Sequence, residues 1–441
     1  MSSFVFAAQS GMGHLNPLLA IADRLVKGGH EVEFVYSEPR RVGDVIAARG
    51  YSARYVRPPL SQLPMALLPY LSGFAETSFA MRMFFAGAGP FGRAIAGLLR
   101  DRPIDCAVAD FAFPGLGLAA ELHGMPWASV YHAGLAYRGP QIPPFGSGLP
   151  IGSAADTGRQ LRQRLSDAVF RSCVRGLRRD RRRIGLPLDV QRPYFWSSSW
   201  LTLVLSAAPV EVPRDPLPPR TFFVGPCLPE RSAGGGDFPY HELADHTPKV
   251  YVSLGTVFND KPEVFRRIIA AFANQPVQLI VSAGGAFAAL QAQAIPANVL
   301  LFPRVPQVDL LPRVDAVVSH GGNNTVNETL AAGRPLLVMP VGGEQGDNAS
   351  RVEWLGAGLR ADLKRASAAE IREKTNRLLT ESTFRERAAV LGAALGRTDG
   401  PGTATRLLAR LAATRAPIER KGGTETLYAD SAMPWESEAV G

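Results

Sequence analysis

A run of residues around position 320 combines glycines and polar side chains in an order that suits phosphate binding. Residues 315–319 are mostly apolar and β-branched, which predicts a short buried strand, and residues 323–332 predict a helix. Gly321 and Gly322 form the turn between them, where the missing Cβ lets the backbone approach an anion closely. The free amides and the dipole at the start of a helix favour a negative charge. The stretch therefore predicts an anion site.

Four polar side chains in this stretch could complete a nucleotide site. His320, Asn324 and Thr325 can donate hydrogen bonds to phosphate oxygens, and Glu328 can accept hydrogen bonds from the vicinal hydroxyls of a ribose. A second interpretation is purely local, because Thr325 and Glu328 also have the spacing of a capping box, which only closes a helix. Spacing alone leaves both interpretations open.

The N-terminal stretch predicts a second site at a strand edge. Residues 4–8 predict a strand that leads through a glycine-containing loop into a helix ending near residue 27, the usual opening of a parallel α/β sheet. A dinucleotide fingerprint would need glycine in place of Asn16, although Glu38 lies near the place of a ribose-binding acid, so a dinucleotide site remains an alternative. His14 lies at the carboxyl edge of the strand, where open α/β sheets bind ligands, and is either catalytic or structural.

Asp110 is the candidate partner of His14. Residues 104–109 predict a strand, and a carboxylate just beyond its end could accept a hydrogen bond from one ring nitrogen of His14. Such a contact fixes the tautomer of the imidazole and raises its basicity. The alternative for Asp110 is a helix N-cap for residues 115–123. His132, after a further predicted strand, could also line the pocket but is interpreted as structural.

Two motifs resemble those of a known family. From His320 to Glu328 the sequence has the form His-Gly-Gly-x-Asn-Thr-x-x-Glu, and Glu344, Gln345 and Asn348 follow a further strand. This pattern resembles the donor motif of family 1 glycosyltransferases with the GT-B fold, among them macrolide, flavonoid and carotenoid glycosyltransferases. Residues 11–17, Gly-x-Gly-His-x-Asn-Pro, resemble the N-terminal motif of the same family. The resemblance implies an α/β protein of two doubly wound parallel-sheet domains that face each other across a cleft.

The resemblance also implies a role for each motif residue. His14 would be the general base and Asp110 its partner. The residues expected to hold the donor diphosphate are Gly13, Ser253, Gly255, Thr256, His320, Gly321, Gly322, Asn324 and Thr325. The residues expected at the base and ribose are Arg304, Val305, Gln307 and Glu328, and those at the donor sugar are Glu344 and Gln345. Plant members have tryptophan at the position of Arg304, which leaves the identity of the donor base open. Family members often have aspartate at the position of Glu344, which leaves the identity of the sugar open.

The implied reaction is an inverting transfer of a sugar from a UDP-sugar or dTDP-sugar to a hydroxyl of an apolar small molecule, such as a natural product. It needs no cofactor and no divalent metal, and the sequence has no His and Cys cluster with metal-ligand spacing. Residues 60–97, which are apolar and rich in phenylalanine (Phe74, Phe79, Phe84, Phe85 and Phe91), are either a buried helix or a wall of the acceptor pocket. Three rival functions are a nucleotide-sugar epimerase, a membrane-associated transferase with a lipid acceptor, and a non-catalytic auxiliary protein of another transferase.

Composition limits the partners and the compartment. The net charge is +9, and the segment from Arg159 to Arg183 carries ten arginines and two aspartates, so nearly all the excess lies in one predicted helix. This argues against a nucleic-acid-binding face, and the segment is either a solvated face or a weak contact to anionic lipid or an acidic carrier. The three cysteines are scattered, which indicates a reducing compartment. We find no signal peptide and no apolar run long enough to span a membrane. These features predict a cytoplasmic protein.

Four regions are predicted along the chain. Residues 1–227 form the acceptor-binding domain, and residues 228–248, which contain Ser-Ala-Gly-Gly-Gly, form the interdomain linker. Residues 249–416 form the nucleotide-sugar-binding domain, whose last helix often returns to the first domain in this family. Residues 417–441 form a polar, loosely ordered tail.

Overall fold

The computed structural model divides the chain into two compact units. It describes residues 1–9, 11–38, 42–57, 79, 82, 85, 87–135, 141–152, 164, 168, 171–186, 197–214, 217–228, 238–255 and 259–422. The first unit contains residues 1–145, 152–228 and 398–441, and the second unit contains residues 146–151 and 229–397.

The first unit is built on a seven-stranded sheet in the order β3-β2-β1-β4-β5-β6-β7, with every pairing parallel. Its strands are β1 (Ser3–Ala7), β2 (Glu31–Tyr36), β3 (Ser52–Tyr55), β4 (Cys106–Asp110), β5 (Trp127–Tyr131), β6 (Leu201–Val204) and β7 (Thr221–Phe223). Its helices include α1 (Met12–Lys27), α2 (Asp44–Ala48), α3 (Ala88–Leu99), α4 (Pro114–Leu122) and α5 (Arg175–Arg183). The central strands β4 and β5 are buried along their whole length, as expected where helices cover both faces of a parallel sheet.

The second unit repeats this plan with a six-stranded parallel sheet in the order β10-β9-β8-β11-β12-β13. Its strands are β8 (Lys249–Ser253), β9 (Gln278–Ser282), β10 (Val299–Phe302), β11 (Ala316–Ser319), β12 (Leu336–Val338) and β13 (Gly358–Arg360). Its helices include α6 (Pro262–Phe272), α7 (Phe287–Gln291), α8 (Gln307–Leu310), α9 (Asn323–Ala331), α10 (Gln345–Trp354), α11 (Ala368–Thr380) and α12 (Ser382–Gly396). Both predicted doubly wound domains are confirmed.

Strand order explains why the motif residues lie where they do. In each sheet the chain starts in the middle, builds towards one edge and then crosses back to build towards the other. The strands on either side of this reversal are β1 and β4 in the first unit, and β8 and β11 in the second. Helices leave such neighbouring strands in opposite directions, which opens a crevice at their carboxyl ends. The motifs that hold His14, Asp110, Ser253 and His320 all follow these four strands or end them.

The C-terminal helix α13 (Gly400–Thr414) packs in the first unit. Its buried side chains Ala404, Leu408 and Leu411 join the core cluster that contains Leu18 and Leu25 of α1. The structure assigns residues 398 onward to the first unit, so the last helix returns to that domain as the family resemblance implies, although the predicted boundary lay at residue 416. The apolar face of α13 packs against α1, and helical periodicity does not specify this long-range contact.

A short segment of the N-terminal half belongs to the second unit. The backbone amides of Gly146 and Gly148 donate to the two carboxylate oxygens of Asp347, at 2.5 and 2.8 Å. The carbonyl of Gly148 accepts from the hydroxyl of Ser350 and from the guanidinium of Arg360. Residues 146–151 therefore fold with α10 and β13, although they lie inside the predicted first domain.

The structure describes only part of the arginine-rich segment. In α5, Asp180 accepts from the backbone amide of Gly89, and Arg181 is buried and paired with Glu121. Arg175, Arg179, Arg182 and Arg183 are exposed. Two of ten arginines, Arg159 and Arg162, lie outside the described residues. At least part of the segment is therefore a helix with a charged outer face, a feature that both interpretations share.

Two other predicted features are only partly described. Of the phenylalanines proposed for an acceptor pocket, Phe85 and Phe91 are buried in the core of the first unit. Phe74 and Phe84 lie outside the described residues, as do residues 229–237 of the predicted linker and residues 423–441 of the tail. No helix among the described residues is both long and apolar enough to cross a membrane.

Candidate functional site

His14 and Asp110 form a direct pair in the first unit. His14 Nδ1 lies 2.6 Å from Asp110 Oδ2. Because a carboxylate only accepts hydrogen bonds, Nδ1 carries the proton and, in the neutral imidazole, Nε2 carries the lone pair. About 25% of the His14 side chain is exposed, whereas that of Asp110 is fully buried. The pair thus presents one basic nitrogen, with its tautomer fixed from behind.

The Asp110 carboxylate is held by backbone amides as well. The amide of Gln9, just past β1, donates to Oδ2 at 3.0 Å, and that of Ala112 donates to Oδ1 at 2.9 Å. Burial alone would raise the pKa of Asp110, but the attraction of His14 and His132 outweighs it and holds the pKa well below its usual range. Helix α4 begins only at Pro114, with Phe113 as its N-cap and no side-chain cap. The N-cap interpretation of Asp110 is therefore wrong.

His132 is the residue that sequence reasoning underrated. Its Nε2 lies 3.3 Å from Asp110 Oδ1, and its ring meets the His14 ring edge-on with centroids 4.1 Å apart. A signal was present in the sequence, because Asp110 and His132 both stand at the carboxyl ends of predicted strands. The register of β4 and β5 pairs Asp110 with Val130, so His132 lies two residues further along, on the same face.

These three side chains also form a grouping that could hold a metal ion. One ligand atom each from His14, Asp110 and His132 lie within 4.8 Å of one another. Two imidazoles and a carboxylate suit Zn²⁺ or a similar ion. The sequence showed no metal-ligand spacing because the three positions are far apart in the chain and come together only at the sheet edge. Hydrogen bonds to the two carboxylate oxygens account for the same geometry.

In the second unit, His320 sits between two glycines. A Cβ on either Gly255 or Gly322 would lie 2.5 Å from His320 Nε2, so both positions need glycine to admit the ring. Gly321, between His320 and Gly322 in the turn, has a φ of 84°, which also favours glycine. Burial lowers the pKa of His320 to about 4. At neutral pH this imidazole can give a phosphate a hydrogen bond but not a positive charge.

The start of α9 lies beside this turn. Gly322 is its N-cap residue, no side chain caps it, and Asn324 and Thr325 are the second and third residues of its first turn. Asn348 donates from Nδ2 to the carbonyl of Gly321 at 2.9 Å, which anchors the turn from α10. Ser253, the last residue of β8, accepts from the amide of Gly255. Thr256 lies outside the described residues.

The Glu328 side chain accepts a hydrogen bond from outside α9 rather than capping its own helix. Gln307 Nε2 donates to Glu328 Oε2 and also approaches Thr325 Oγ1 at 3.4 Å, and the hydroxyl of Tyr251 donates to Gln307 Oε1 at 3.0 Å. The capping-box interpretation is wrong, because Thr325 lies inside α9 and not at its N-cap. Burial raises the pKa of Glu328 to about 7, and the hydrogen bond from Gln307 only partly offsets it.

The residues predicted at the donor sugar lie at the start of α10. Glu344 is the N-cap residue of α10, and the amide oxygen of Gln345 accepts from the backbone amides of Val341 and Gly342. Any hydrogen bond from Gln345 to a sugar must therefore come from its amide nitrogen. Arg304 is exposed, and Val305 packs beside Tyr251 in a small apolar cluster. Gly13 is the second residue of α1, in the first unit.

The structure thus groups the predicted residues into two sets. His14, Asp110 and Gly13 belong to the first unit, and the described residues predicted to bind the donor otherwise belong to the second. Within the second unit, Gly255, His320 and Gly322 are in contact, and Gln307, Thr325 and Glu328 form one hydrogen-bonded group. Sequence reasoning missed Tyr251 and interpreted His132 as structural, and these two residues complete the two sets.

Comparison with known sequences identifies related enzymes. The family model described as UDP-glucoronosyl and UDP-glucosyl transferase matches residues 187–395. The 4'-demethylrebeccamycin synthase of Lentzea aerocolonigenes is 31% identical over 407 residues, covering 87% of this chain and 93% of that protein. The zeaxanthin glucosyltransferase of Pantoea ananas is 25% identical over 446 residues, covering 97% of this chain and 100% of that protein.

Comparison with solved structures identifies the fold. The glycosyltransferase of kitacinnamycin superposes with a TM-score of 0.75 at 21% identity, covering 93% of this chain and 98% of that one. The calicheamicin glycosyltransferase CalG4 superposes with a TM-score of 0.72 at 24% identity, covering 95% of this chain and 100% of that one. Both neighbours support the GT-B fold class that the motifs predict.

Proposed function

This chain belongs to the family of UDP-glucoronosyl and UDP-glucosyl transferases and is a glycosyltransferase, and we propose that it moves a sugar from a UDP-sugar or dTDP-sugar to a hydroxyl of an apolar natural product, with inversion. The observation that carries the proposal is the His14–Asp110 pair, at 2.6 Å, which leaves His14 Nε2 as a base. The donor would bind at the glycine turn of the second unit, between β11 and α9.

In the proposed mechanism the reaction is a single displacement. His14 Nε2 takes the proton of the acceptor hydroxyl as its oxygen attacks the anomeric carbon of the sugar. The bond from that carbon to the diphosphate oxygen breaks on the opposite face, so the configuration inverts and the nucleoside diphosphate leaves with the electron pair. Asp110 stays ionised and stabilises the imidazolium that forms on His14.

We propose that this transfer needs no metal ion. The leaving diphosphate would be stabilised by backbone amides at the start of α9, by the Gly321–Gly322 turn and by hydrogen bonds from His320 and Thr325. Support comes from the close packing of Gly255 and Gly322 on His320, which brings backbone and imidazole to one place. Because His320 is neutral at pH 7, the helix dipole and amides would carry most of this stabilisation.

The apolar surroundings of His14 support an apolar acceptor. The ring of Phe111 stacks on that of Tyr131, with centroids 5.1 Å apart, and lies 6.1 Å from the ring of His14. Both rings belong to the buried core of the first unit, so the wall behind the base is apolar, which suits an apolar acceptor. Among the relatives, zeaxanthin glucosyltransferase is named for zeaxanthin.

A thermal-shift screen of the purified protein tests the donor class. UDP or dTDP at about one hundred times its dissociation constant should stabilise the protein by about 2.7 kcal/mol, with no change on adding EDTA. GDP and NAD serve as matched nucleotide controls and should stabilise it much less. Stabilisation by NAD alone, or loss of the UDP and dTDP effect in EDTA, would contradict the proposed donor site or its independence of metal.

Donor binding should strengthen as the pH rises through about 7. Ribose hydroxyls donate hydrogen bonds to ionised Glu328, whose pKa burial raises to about 7, so protons compete with the nucleotide below that pH. We expect UDP affinity at pH 6 to be up to about tenfold weaker than its plateau at pH 8. Calorimetric titrations across this range give the measurement.

The variant Glu328→Gln controls for titration of the UDP phosphate itself. Glutamine keeps the size of the side chain but has no charge to lose, so any pH dependence that remains belongs to the phosphate, whose second pKa is about 6. The wild-type protein should therefore show a steeper decline below pH 7 than the variant. Parallel curves for the two proteins would show that Glu328 does not titrate against the nucleotide.

A further inference from the structure

The Asp110 carboxylate bridges two imidazoles, and the proposed mechanism uses only one of them. We propose that His132 is a positioning residue of the base site, which holds the Asp110 carboxylate in the rotation that serves His14. This inference rests on the proposed function, because it concerns the base that His14 supplies. His132 acts through Asp110 and does not itself accept the proton of the acceptor.

Among the residues that the structure describes, four donors surround the carboxylate, two on each oxygen. Oδ2 receives His14 Nδ1 at 2.6 Å and the Gln9 amide at 3.0 Å. Oδ1 receives the Ala112 amide at 2.9 Å and His132 Nε2 at 3.3 Å. The terminal torsion of an aspartate side chain is broad, so hydrogen bonds on both oxygens are what fixes its angle. His132 supplies the side-chain donor on Oδ1, opposite the oxygen that holds His14.

Exposure divides the roles of the two histidines. About 25% of the His14 side chain is accessible, against 7% for His132. A substrate hydroxyl can therefore reach the ring of His14, while His132, just past the end of β5, is buried. The ring of Phe111 packs against both imidazoles, with centroids 6.1 Å from His14 and 5.2 Å from His132, and covers the pair with apolar surface.

The chemistry of the side chain at position 132 also favours a role beyond filling space. The position is buried and follows the fully buried strand β5, where an apolar residue would pack without the cost of burying a polar ring. An imidazole is favourable there because its N–H meets a buried, ionised carboxylate, and hydrogen bonds to charged groups are the stronger ones. The ionised state of Asp110 is what His14 needs when it becomes an imidazolium.

The test compares two substitutions at this position. His132→Phe fills a similar volume without a donor, and His132→Gln returns an amide N–H at about the place of Nε2. We expect kcat to fall about 10- to 100-fold in His132→Phe, since small misplacements of catalytic groups cost rates of this order, with KM for acceptor and the dissociation constant for UDP unchanged. His132→Gln should recover most of the lost kcat.

A matched histidine gives the control. His123 is also in the first unit, and its Nε2 bonds the carbonyl of Ala96 at 2.9 Å rather than Asp110. His123→Phe should leave kcat unchanged, and thermal unfolding checks that every variant is folded. If His132→Phe does not fold, His132→Leu replaces it in the comparison with His132→Gln.

Three results would overturn the proposal. Wild-type kcat in folded His132→Phe would show that the donor is not needed. Equal losses in His132→Phe and His132→Gln would assign the effect to ring packing. A rise in acceptor KM with unchanged kcat would make His132 a contact of the acceptor.

The same assay on a His14→Ala background separates this inference from the proposed function. If His132 acts through the Asp110–His14 pair, adding His132→Phe to His14→Ala should lower kcat no further. Transfer at a normal rate in His14→Ala would reject the assignment of the base. Loss of transfer in His14→Ala but not in His132→Phe would reject only the positioning role.

Discussion

His14→Ala is expected to lower kcat for sugar transfer by about 10²- to 10⁴-fold, the usual contribution of a positioned general base. The acceptor hydroxyl would have to lose its proton to water, while Asp110, still buried and held by backbone amides, would have no base to orient. Binding of UDP should be unchanged, because the residues proposed to bind the nucleotide belong largely to the second unit. Steady-state kinetics with the natural acceptor or a phenolic surrogate, together with calorimetry of UDP, measure both quantities.

An exposed histidine provides the matched control for this substitution. His246 lies on the surface of the second unit, and His246→Ala should transfer sugar at the wild-type rate. If His14→Ala retained wild-type kcat, the base would be another group and the His14–Asp110 pair would be structural. A loss of UDP affinity equal to the loss of kcat would instead indicate that the variant is misfolded or that His14 binds the donor.

Glu328→Ala should weaken UDP binding by about 10- to 100-fold and leave transfer at saturating donor much less affected. The expected loss follows from hydrogen bonds to a charged group, worth about 1.5–3 kcal/mol, with each 1.4 kcal/mol equal to a factor of ten. The substitution also removes the acceptor of Gln307 Nε2 and so loosens the Tyr251–Gln307 pair. Calorimetric titration of UDP measures the change.

The control for Glu328 is an exposed glutamate of the same unit. Glu373 lies on α11, and Glu373→Ala should bind UDP with wild-type affinity. Equal affinity in Glu328→Ala and wild type would exclude a ribose contact. The Glu328 carboxylate would then serve only the hydrogen-bonded group of Gln307 and Thr325.

Local patterns predicted much of the fold and part of the site. Buried strands followed by glycine turns and helices marked both parallel sheets, because short-range periodicity and turn chemistry depend on neighbours in the chain. The predicted helix at 323–332 agrees closely with α9. The pairing of His14 with Asp110 was also predictable, since both residues stand at carboxyl ends of strands, the usual ligand edge of such sheets.

Other local patterns predicted contacts that tertiary structure replaced. Thr325 and Glu328 have the spacing of a capping box, yet Glu328 accepts a hydrogen bond from Gln307, which lies 21 residues earlier in the chain. The helical periodicity of α13 predicted which of its faces is apolar. It did not predict that this face packs against α1 in the first unit. A buried carboxylate or an apolar face requires some partner, and the sequence alone does not say which element provides it.

The two motifs and the chemical character of each site could be predicted from the sequence, because they depend on residue types at short, fixed spacings, and the resemblance of the motifs to a known family implied the fold class. The folded protein was needed to show that His132 shares the Asp110 carboxylate with His14 and that the amides of Gly146 and Gly148 bind Asp347 of the second unit. Those contacts join positions 22 and about 200 residues apart. They depend on which strands are neighbours and in which register, which is set by packing of the whole chain and not by any local pattern.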